Sequence, residues 1–233
     1  MKNKPVKPEE YKKGKFNFYG EEFFINPNSY ITPPESEIFI NVASDYIRQN
    51  DIRTIVDVGT GSGTVALTLK RLFPYLTVIG TDICPETLKV AKKNSKLHGL
   101  EVELIQGSYF ENFSKEIDKD RTLITSILPY GNKDFLLKSN VERYNTGQFQ
   151  FYPQTSLFPK NDPERKEPLK MYGELALEMI KNRIFCPLII ETGVVTDDLI
   201  HEEFKKFQHQ VQRYDEDYSV TLINLSMNKN GAF

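Results

Sequence analysis

Two carboxylates and three glycines, all between residues 57 and 82, are spaced to hold a small charged ligand that carries a sugar. Asp57 stands two positions before Gly59, and Gly59, Gly61 and Gly63 alternate with Thr60 and Ser62. The β-branched pair Ile55-Val56 leads into this turn, and an apolar run with helical spacing follows it. This pattern reads as a buried strand that ends in a glycine-rich turn opening a helix. Glycine is suited to the turn because it takes backbone angles that other residues resist, and because it lets a ligand approach the main chain closely. Asp82 follows Gly63 by nineteen residues and ends a second apolar run that begins at Leu76. A carboxylate at that strand tip is placed to accept hydrogen bonds from ribose hydroxyls.

The glycine spacing separates the ligand classes. A dinucleotide turn reads Gly-x-Gly-x-x-Gly and seats pyrophosphate on the helix N-terminus. Here the pattern is Gly-x-Gly-x-Gly, preceded by Asp57. A buried carboxylate there repels pyrophosphate and favours a cation such as an α-ammonium or a sulfonium. The ligand that fits is S-adenosylmethionine, with S-adenosylhomocysteine as product. Asp57 also reads as a helix cap or a tie to loop N–H groups.

These segments resemble a known family. Val56-Asp-Val-Gly-Thr-Gly-Ser-Gly63 is similar to the cofactor motif of class I methyltransferases, and the whole chain most resembles the HemK-type protein-glutamine N-methyltransferases. Phe18-Tyr-Gly20, Tyr30-Ile-Thr-Pro-Pro-Glu-Ser-Glu37, Asp82-Ile-Cys-Pro-Glu86 and Gln106-Gly-Ser-Tyr-Phe110 carry the resemblance, which runs from about Phe16 to about Ser226. It implies a Rossmann-like α/β fold, with a seven-stranded, mostly parallel sheet covered by helices on both faces and the last strand antiparallel. It also implies cofactor contacts from Asp57, Gly59, Thr60, Gly61, Gly63, Asp82, Ile83, Ser108 and Tyr109, with Glu35 and Asp57 orienting the methionine end. Ser108 stands where the family usually has Asp to accept from the adenine amino group, and a serine hydroxyl can also accept.

Two departures redirect the expected acceptor. The family ends its fourth strand in Asn-Pro-Pro-Tyr, whose Asn oxygen and a neighbouring carbonyl hold the planar nitrogen that is methylated. This chain has Ile127-Leu128-Pro129-Tyr130. Ile127 offers no acceptor, and an amide N–H left unpaired against it costs about 1–3 kcal/mol. Leu128 keeps a carbonyl, and Pro129 and Tyr130 remain to pack against a substrate. HemK-type enzymes also carry a helical domain that helps dock a release factor, whereas only polar residues 1–15, rich in Lys and Pro, precede Phe16 here. The resulting expectation is methyl transfer to nitrogen or oxygen of a small molecule, with Tyr130, Pro129, Leu128 and Ile127 forming the catalytic end. Glutamine methylation and a cofactor-binding protein without transfer activity are the alternatives.

Composition sets the frame. A length of 233 residues suits one core. Hydrophobic content of 39% and charged content of 27% are ordinary for a soluble chain. A net charge of -2 does not favour a nucleic-acid substrate, which usually needs a positive surface. Cys84 and Cys186 are far apart and belong to no metal-spaced set. The absence of a long apolar run or a signal-peptide core makes the cytoplasm the expected location, with no membrane partner and the oligomeric state left open.

The elements that position these residues follow from periodicity. Residues 1–15 read as a flexible arm and 16–233 as one methyltransferase domain, with 16–34 crossing the site as a lid or hairpin. Helical spacing runs through Ile38–Ile47, Thr64–Phe73, Pro85–Gly99, Leu169–Arg183 and Asp197–Gln208. Strands are expected at Thr54–Val58, Thr77–Thr81, Val102–Gln106, Thr122–Leu128 and Pro187–Glu191, with a closing antiparallel pair at Val211–Tyr214 and Val220–Leu225. Residues 131–169, with little periodicity, read as a substrate lid. Glu191, at a strand tip, reads equally as structural. His98, His201 and His209 read as surface residues.

Overall fold

A computed structural model describes residues 5–130, 147–157, 167, 169–213 and 218–225. Seven strands form the main sheet: β3 (Thr54–Val58), β4 (Thr77–Asp82), β5 (Glu103–Gln106), β6 (Thr122–Ser126), β7 (Pro187–Glu191), β8 (Gln208–Arg213) and β9 (Ser219–Asn224). Their order is β5-β4-β3-β6-β7-β9-β8. All pairings from β5 to β7 are parallel, and β9 runs antiparallel to both of its neighbours. This is the expected fold, with the last strand reversed.

Burial on both faces explains why β3 and β6 are nearly continuous in apolar and β-branched residues. Alternate residues then supply two cores. Ile55 and Leu123 face a cluster with Phe39, Ile40, Leu67 and Leu69. These last four lie on α2 (Glu37–Gln49) and α3 (Thr64–Leu72). Val56 and Ile124 face a second cluster with Tyr172, Leu175, Met179 and Phe204, which come from α6 (Lys170–Lys181) and α7 (Asp197–Phe204). Helix α4 (Pro85–His98) begins on a proline at its first position and stops at Gly99, whose φ of +61° is left-handed.

The start of the chain departs from expectation. In place of a flexible arm, residues Glu9–Lys13 form the short helix α1, whereas β1 (Lys15–Phe18) and β2 (Glu21–Phe24) pair as a hairpin, as the reading of residues 16–34 as a lid or hairpin allowed. Tyr11 is buried, donates to the Ser29 carbonyl at 2.7 Å and meets the Tyr152 ring edge-on at 5.3 Å. One aromatic anchor thus orders a polar stretch. Truncation by Tyr11→Ala should cost about 3 kcal/mol, read as a lowered urea midpoint; an unchanged midpoint would show that α1 is not docked.

The hairpin is fixed to α4 by Asn94, whose side chain accepts from Phe24 N and donates to Phe24 O and Ser62 O. Of the expected lid at 131–169, residues 131–146, 158–166 and 168 lie outside the described residues. The described part, including α5 (Gln154–Leu157), packs through Phe149, Tyr152 and Leu157 onto the core that holds Tyr11. The helix expected to reach Gln208 ends at Phe204, and Gln208 instead opens β8.

Candidate functional site

The sheet order reverses direction between β3 and β6, because β3 leads to β4 on one side and β6 to β7 on the other. Ligands in such sheets bind at the carboxyl ends of the strands, at that switch point. There the structure has a cavity of about 700 Å³, within the usual range for cofactor sites.

The glycine turn is held from both sides. Gly59 N and Thr60 N donate to the Thr81 carbonyl at 2.8 and 2.9 Å, and Gly61 N donates to Asp82 Oδ2 at 2.9 Å. Asp82 Oδ1 accepts from Cys84 N at 2.8 Å. Asp82 therefore braces the turn and the start of α4 together. Gly59 has φ +75°, and a methyl group there would lie 2.6 Å from Leu128 Cδ2. The position thus needs glycine both for its backbone angle and for the approach of the β6 exit.

Asp57 is buried under the turn. Its Oδ1 accepts from Thr125 Oγ1 at 2.9 Å, whereas Oδ2 makes no hydrogen bond. The nearby Thr60 and Thr81 hydroxyls are also buried without partners. Burial pushes the Asp57 carboxyl up to about 6, against the pull of the Thr60 and Thr125 hydroxyls beside it. Thr60 is close enough to act electrostatically but is not aligned as a hydrogen bond. Burial also raises the Asp82 carboxyl, partly offset by its two backbone donors.

Twelve expected site residues line the cavity: Glu35, Gly59, Thr60, Gly61, Asp82, Ile83, Ser108 and Tyr109 towards the cofactor side, and Ile127, Leu128, Pro129 and Tyr130 at the β6 exit. Asp57 and Gly63 do not line it. Asp57 sits beneath the floor, and Gly63 caps α3 with φ +81°. Ile83 is 68% exposed, an apolar side chain standing at the cavity edge.

The β6 exit is clamped by residues that sequence reasoning did not single out. The Tyr172 hydroxyl accepts the Leu128 N–H at 3.0 Å and donates to the Leu128 carbonyl at 3.2 Å. A proline at this position has no N–H, so the leucine creates this reciprocal pair. The Tyr130 hydroxyl donates to Glu191 Oε1 at 3.0 Å. Glu191 Oε2 accepts from Ser36 Oγ at 2.7 Å and from the Tyr218 hydroxyl at 2.6 Å. Glu191 lines the cavity together with Tyr130 and Tyr218. Its position at a strand tip was the one local signal for it. Ser36, Tyr172 and Tyr218 gave none.

An unpaired buried carboxylate oxygen, a turn whose glycines at 59, 61 and 63 all take left-handed backbone angles and a roomy crevice suit a cationic nucleoside. This fold and site define a class I methyltransferase that uses S-adenosylmethionine. A family profile described as Methyltransferase domain matches residues 55–133. The chain is 30% identical over 214 residues to a release factor glutamine methyltransferase of Bacillus subtilis, covering 88% of this chain and 70% of that protein. It is 28% identical over 214 residues to the protein of the same name in Enterococcus faecalis, covering 88% and 71%. To that of Staphylococcus aureus it is 34% identical over 155 residues, covering 66% and 52%. The chain belongs to the release factor glutamine methyltransferase family, although it spans only about half the length of several of the curated relatives it matches.

Solved structures share the fold. A ribosomal protein L11 methylase from Lactobacillus delbrueckii subsp. bulgaricus has a TM-score of 0.56 at 16% identity, covering 85% of this chain and 82% of that one. A T. thermophilus 16S rRNA methyltransferase in complex with AdoMet and guanosine has a TM-score of 0.59 at 13% identity, covering 90% and 49%.

The expectation of a small-molecule acceptor, with nucleic acid not favoured, is corrected by these proteins. The relatives are named for a release factor, and the fold neighbours for a ribosomal protein and a ribosomal RNA. Among the described residues no helix is long and apolar enough to cross a membrane.

Proposed function

We propose that this chain methylates a glutamine side-chain nitrogen on a protein acceptor of the release-factor kind. The observation that carries this reading is kinship: 30% identity to a relative of which the chain covers 70%. The arrangement of the cavity is compatible with it. In this reading the Gly59–Gly63 turn and Asp82 hold the nucleoside, and Asp57 favours the cationic end from below. Ile83, Ser108 and Tyr109 border the base, and Glu35 faces the amino-acid end. S-adenosylmethionine supplies the methyl group. Tyr130 and Pro129 form the wall against which the planar amide packs, and the Leu128 carbonyl, with a second lone pair beyond the one used by Tyr172, accepts one amide N–H. Residues 16–233 act as one catalytic domain, and residues 153–157, part of the lid segment, cover the acceptor side. Two free cysteines suit a reducing compartment such as the cytoplasm.

The test uses the purified chain with methyl-labelled S-adenosylmethionine and a purified bacterial release factor. Label is expected on one glutamine, located by mass spectrometry of the digested acceptor. Cofactor binding by isothermal titration without any label on the release factor would overturn the reading.

A further inference from the structure

The family's Asn supplies an acceptor for the substrate nitrogen, and Ile127 cannot. Tyr130 and Glu191 stand at the same cavity with their polar atoms already joined. A phenol has one proton. That of Tyr130 is given to Glu191 Oε1 at 3.0 Å, so only lone pairs of its oxygen remain for a third group. The carboxylate is held in place by two more hydroxyls, from Ser36 ahead of α2 and Tyr218 ahead of β9. Gly193 closes the far side: it has φ +49°, and a methyl group there would overlap the Tyr130 hydroxyl. The Tyr130 ring tip is thus seated between Glu191 and Gly193 and cannot turn its proton elsewhere without breaking the Glu191 contact.

We infer that Tyr130, fixed by Glu191 as an obligate hydrogen-bond acceptor, takes the place of the missing Asn and receives the proton lost by the methylated nitrogen. This inference rests on the amide-nitrogen reading above. In the transfer the nitrogen lone pair forms the N–CH3 bond, the S–CH3 bond breaks with its electron pair left on sulfur, and one nitrogen-bound proton must leave. That proton passes to Tyr130 Oη as the phenol's own proton passes to Glu191 Oε1. The phenol is restored and the carboxylate ends as a carboxylic acid, which later loses its proton to water. Tyr130 is the catalytic residue of the pair, and Glu191 is a positioning residue and proton store.

The electrostatics agree with this direction of proton flow. Burial raises the Glu191 carboxyl, against the pull of the Tyr218, Ser36 and Tyr130 hydroxyls, which makes it a better store than an exposed carboxylate. Burial, followed by the neighbouring Glu191 charge, holds the Tyr130 phenol well above its ordinary range, so it remains protonated when substrate arrives.

The experiment compares wild type, Tyr130→Phe, Glu191→Gln, the double variant, and Tyr130→Phe combined with Ile127→Asn, all with the release-factor acceptor. Tyr130→Phe should lower kcat about a hundredfold, with S-adenosylhomocysteine affinity within twofold of wild type. Its complex with S-adenosylhomocysteine should bind the acceptor about fivefold more weakly by titration, a readout independent of turnover. Glu191→Gln should lower kcat as much, and the double variant no further, because the two act as one unit. Adding Ile127→Asn to Tyr130→Phe should restore at least tenfold. A Tyr130→Phe protein within threefold of wild type in kcat, effects that multiply in the double variant, or no recovery with Ile127→Asn would each overturn the relay. No transfer by wild type overturns the glutamine reading and this inference with it, whereas transfer with Tyr130→Phe unaffected overturns the inference alone.

Discussion

Asp57→Asn should make the free protein more stable and the cofactor complex weaker. The carboxyl is buried and raised to about 6 because burial penalises its charge, with its Oδ2 unpaired. Unfolded, an aspartate titrates near 3.9, so the folded protein carries a penalty of about 3 kcal/mol at any pH above 6. The sign follows from the raised value: the group's stabilising contribution is full below about pH 4, where both states are protonated, and is lost as pH rises through about 6. The substituted amide keeps an oxygen for Thr125 and brings an N–H to the unpartnered Thr60 hydroxyl, at no charge penalty. At pH 8 the variant should gain about 1–3 kcal/mol in urea unfolding, and the gain should vanish near pH 4. In the proposed binding mode the charge serves the cationic end of the cofactor held above it. Its loss should cost about 2 kcal/mol of binding, roughly thirtyfold in Kd for S-adenosylmethionine by titration at pH 8. Wild-type affinity should fall as pH drops through about 6, while the variant's stays flat. A variant that is less stable at pH 8, or one that binds as tightly as wild type, would falsify the role given to this carboxylate.

What could be read from the sequence was what lies close along the chain. The strand Thr54–Val58, the turn Gly59–Gly63 and the tip residue Asp82 form one local unit, so composition and spacing revealed them. The Glu191 clamp joins residues separated by 27, 61 and 155 positions, and no local pattern records such pairings. Tyr172 lies at a core position of an amphipathic helix, so its helical spacing concealed the hydroxyl that binds the Leu128 backbone. The polar sequence of residues 9–13 suggested a loose arm, but the fold orders it through Tyr11 and Tyr152, which are distant in sequence. The edge strand β8 was partly missed because its residues Gln208-His-Gln-Val-Gln-Arg213 are mostly polar, as an edge tolerates. The expectation of a small-molecule acceptor rested on Ile127 and on the polar residues before Phe16, two local departures that say nothing of the kinship of the whole chain to proteins named for a release factor.

Gly193→Ala should disable transfer while leaving the cofactor in place. At φ +49° an alanine pays about 1–3 kcal/mol of backbone strain. Its methyl group would also overlap the Tyr130 hydroxyl and stand 2.8 Å from Tyr130 Cζ and 2.9 Å from Cε2. The ring is the part free to move, since Gly193 N is tied to the Ser219 carbonyl at 3.0 Å and Ser219 Oγ donates to the Gly193 carbonyl at 3.0 Å. Moving the ring breaks the 3.0 Å contact with Glu191 and leaves that carboxylate with its Ser36 and Tyr218 donors only. The glycine turn and Asp82 belong to β3 and β4, on the other side of β6, and are not disturbed by this shift. The expected result is a loss of about a hundredfold in kcat, S-adenosylhomocysteine affinity within threefold by titration, and a fall of about 1–3 kcal/mol in unfolding free energy. In a Tyr130→Phe background the hydroxyl overlap is gone but the ring carbons at 2.8 and 2.9 Å remain, so Gly193→Ala should still destabilise the fold while costing little further activity, the hydroxyl it would displace being already absent. A Gly193→Ala protein with wild-type turnover would show that the Tyr130 ring is not held where the acceptor must meet it.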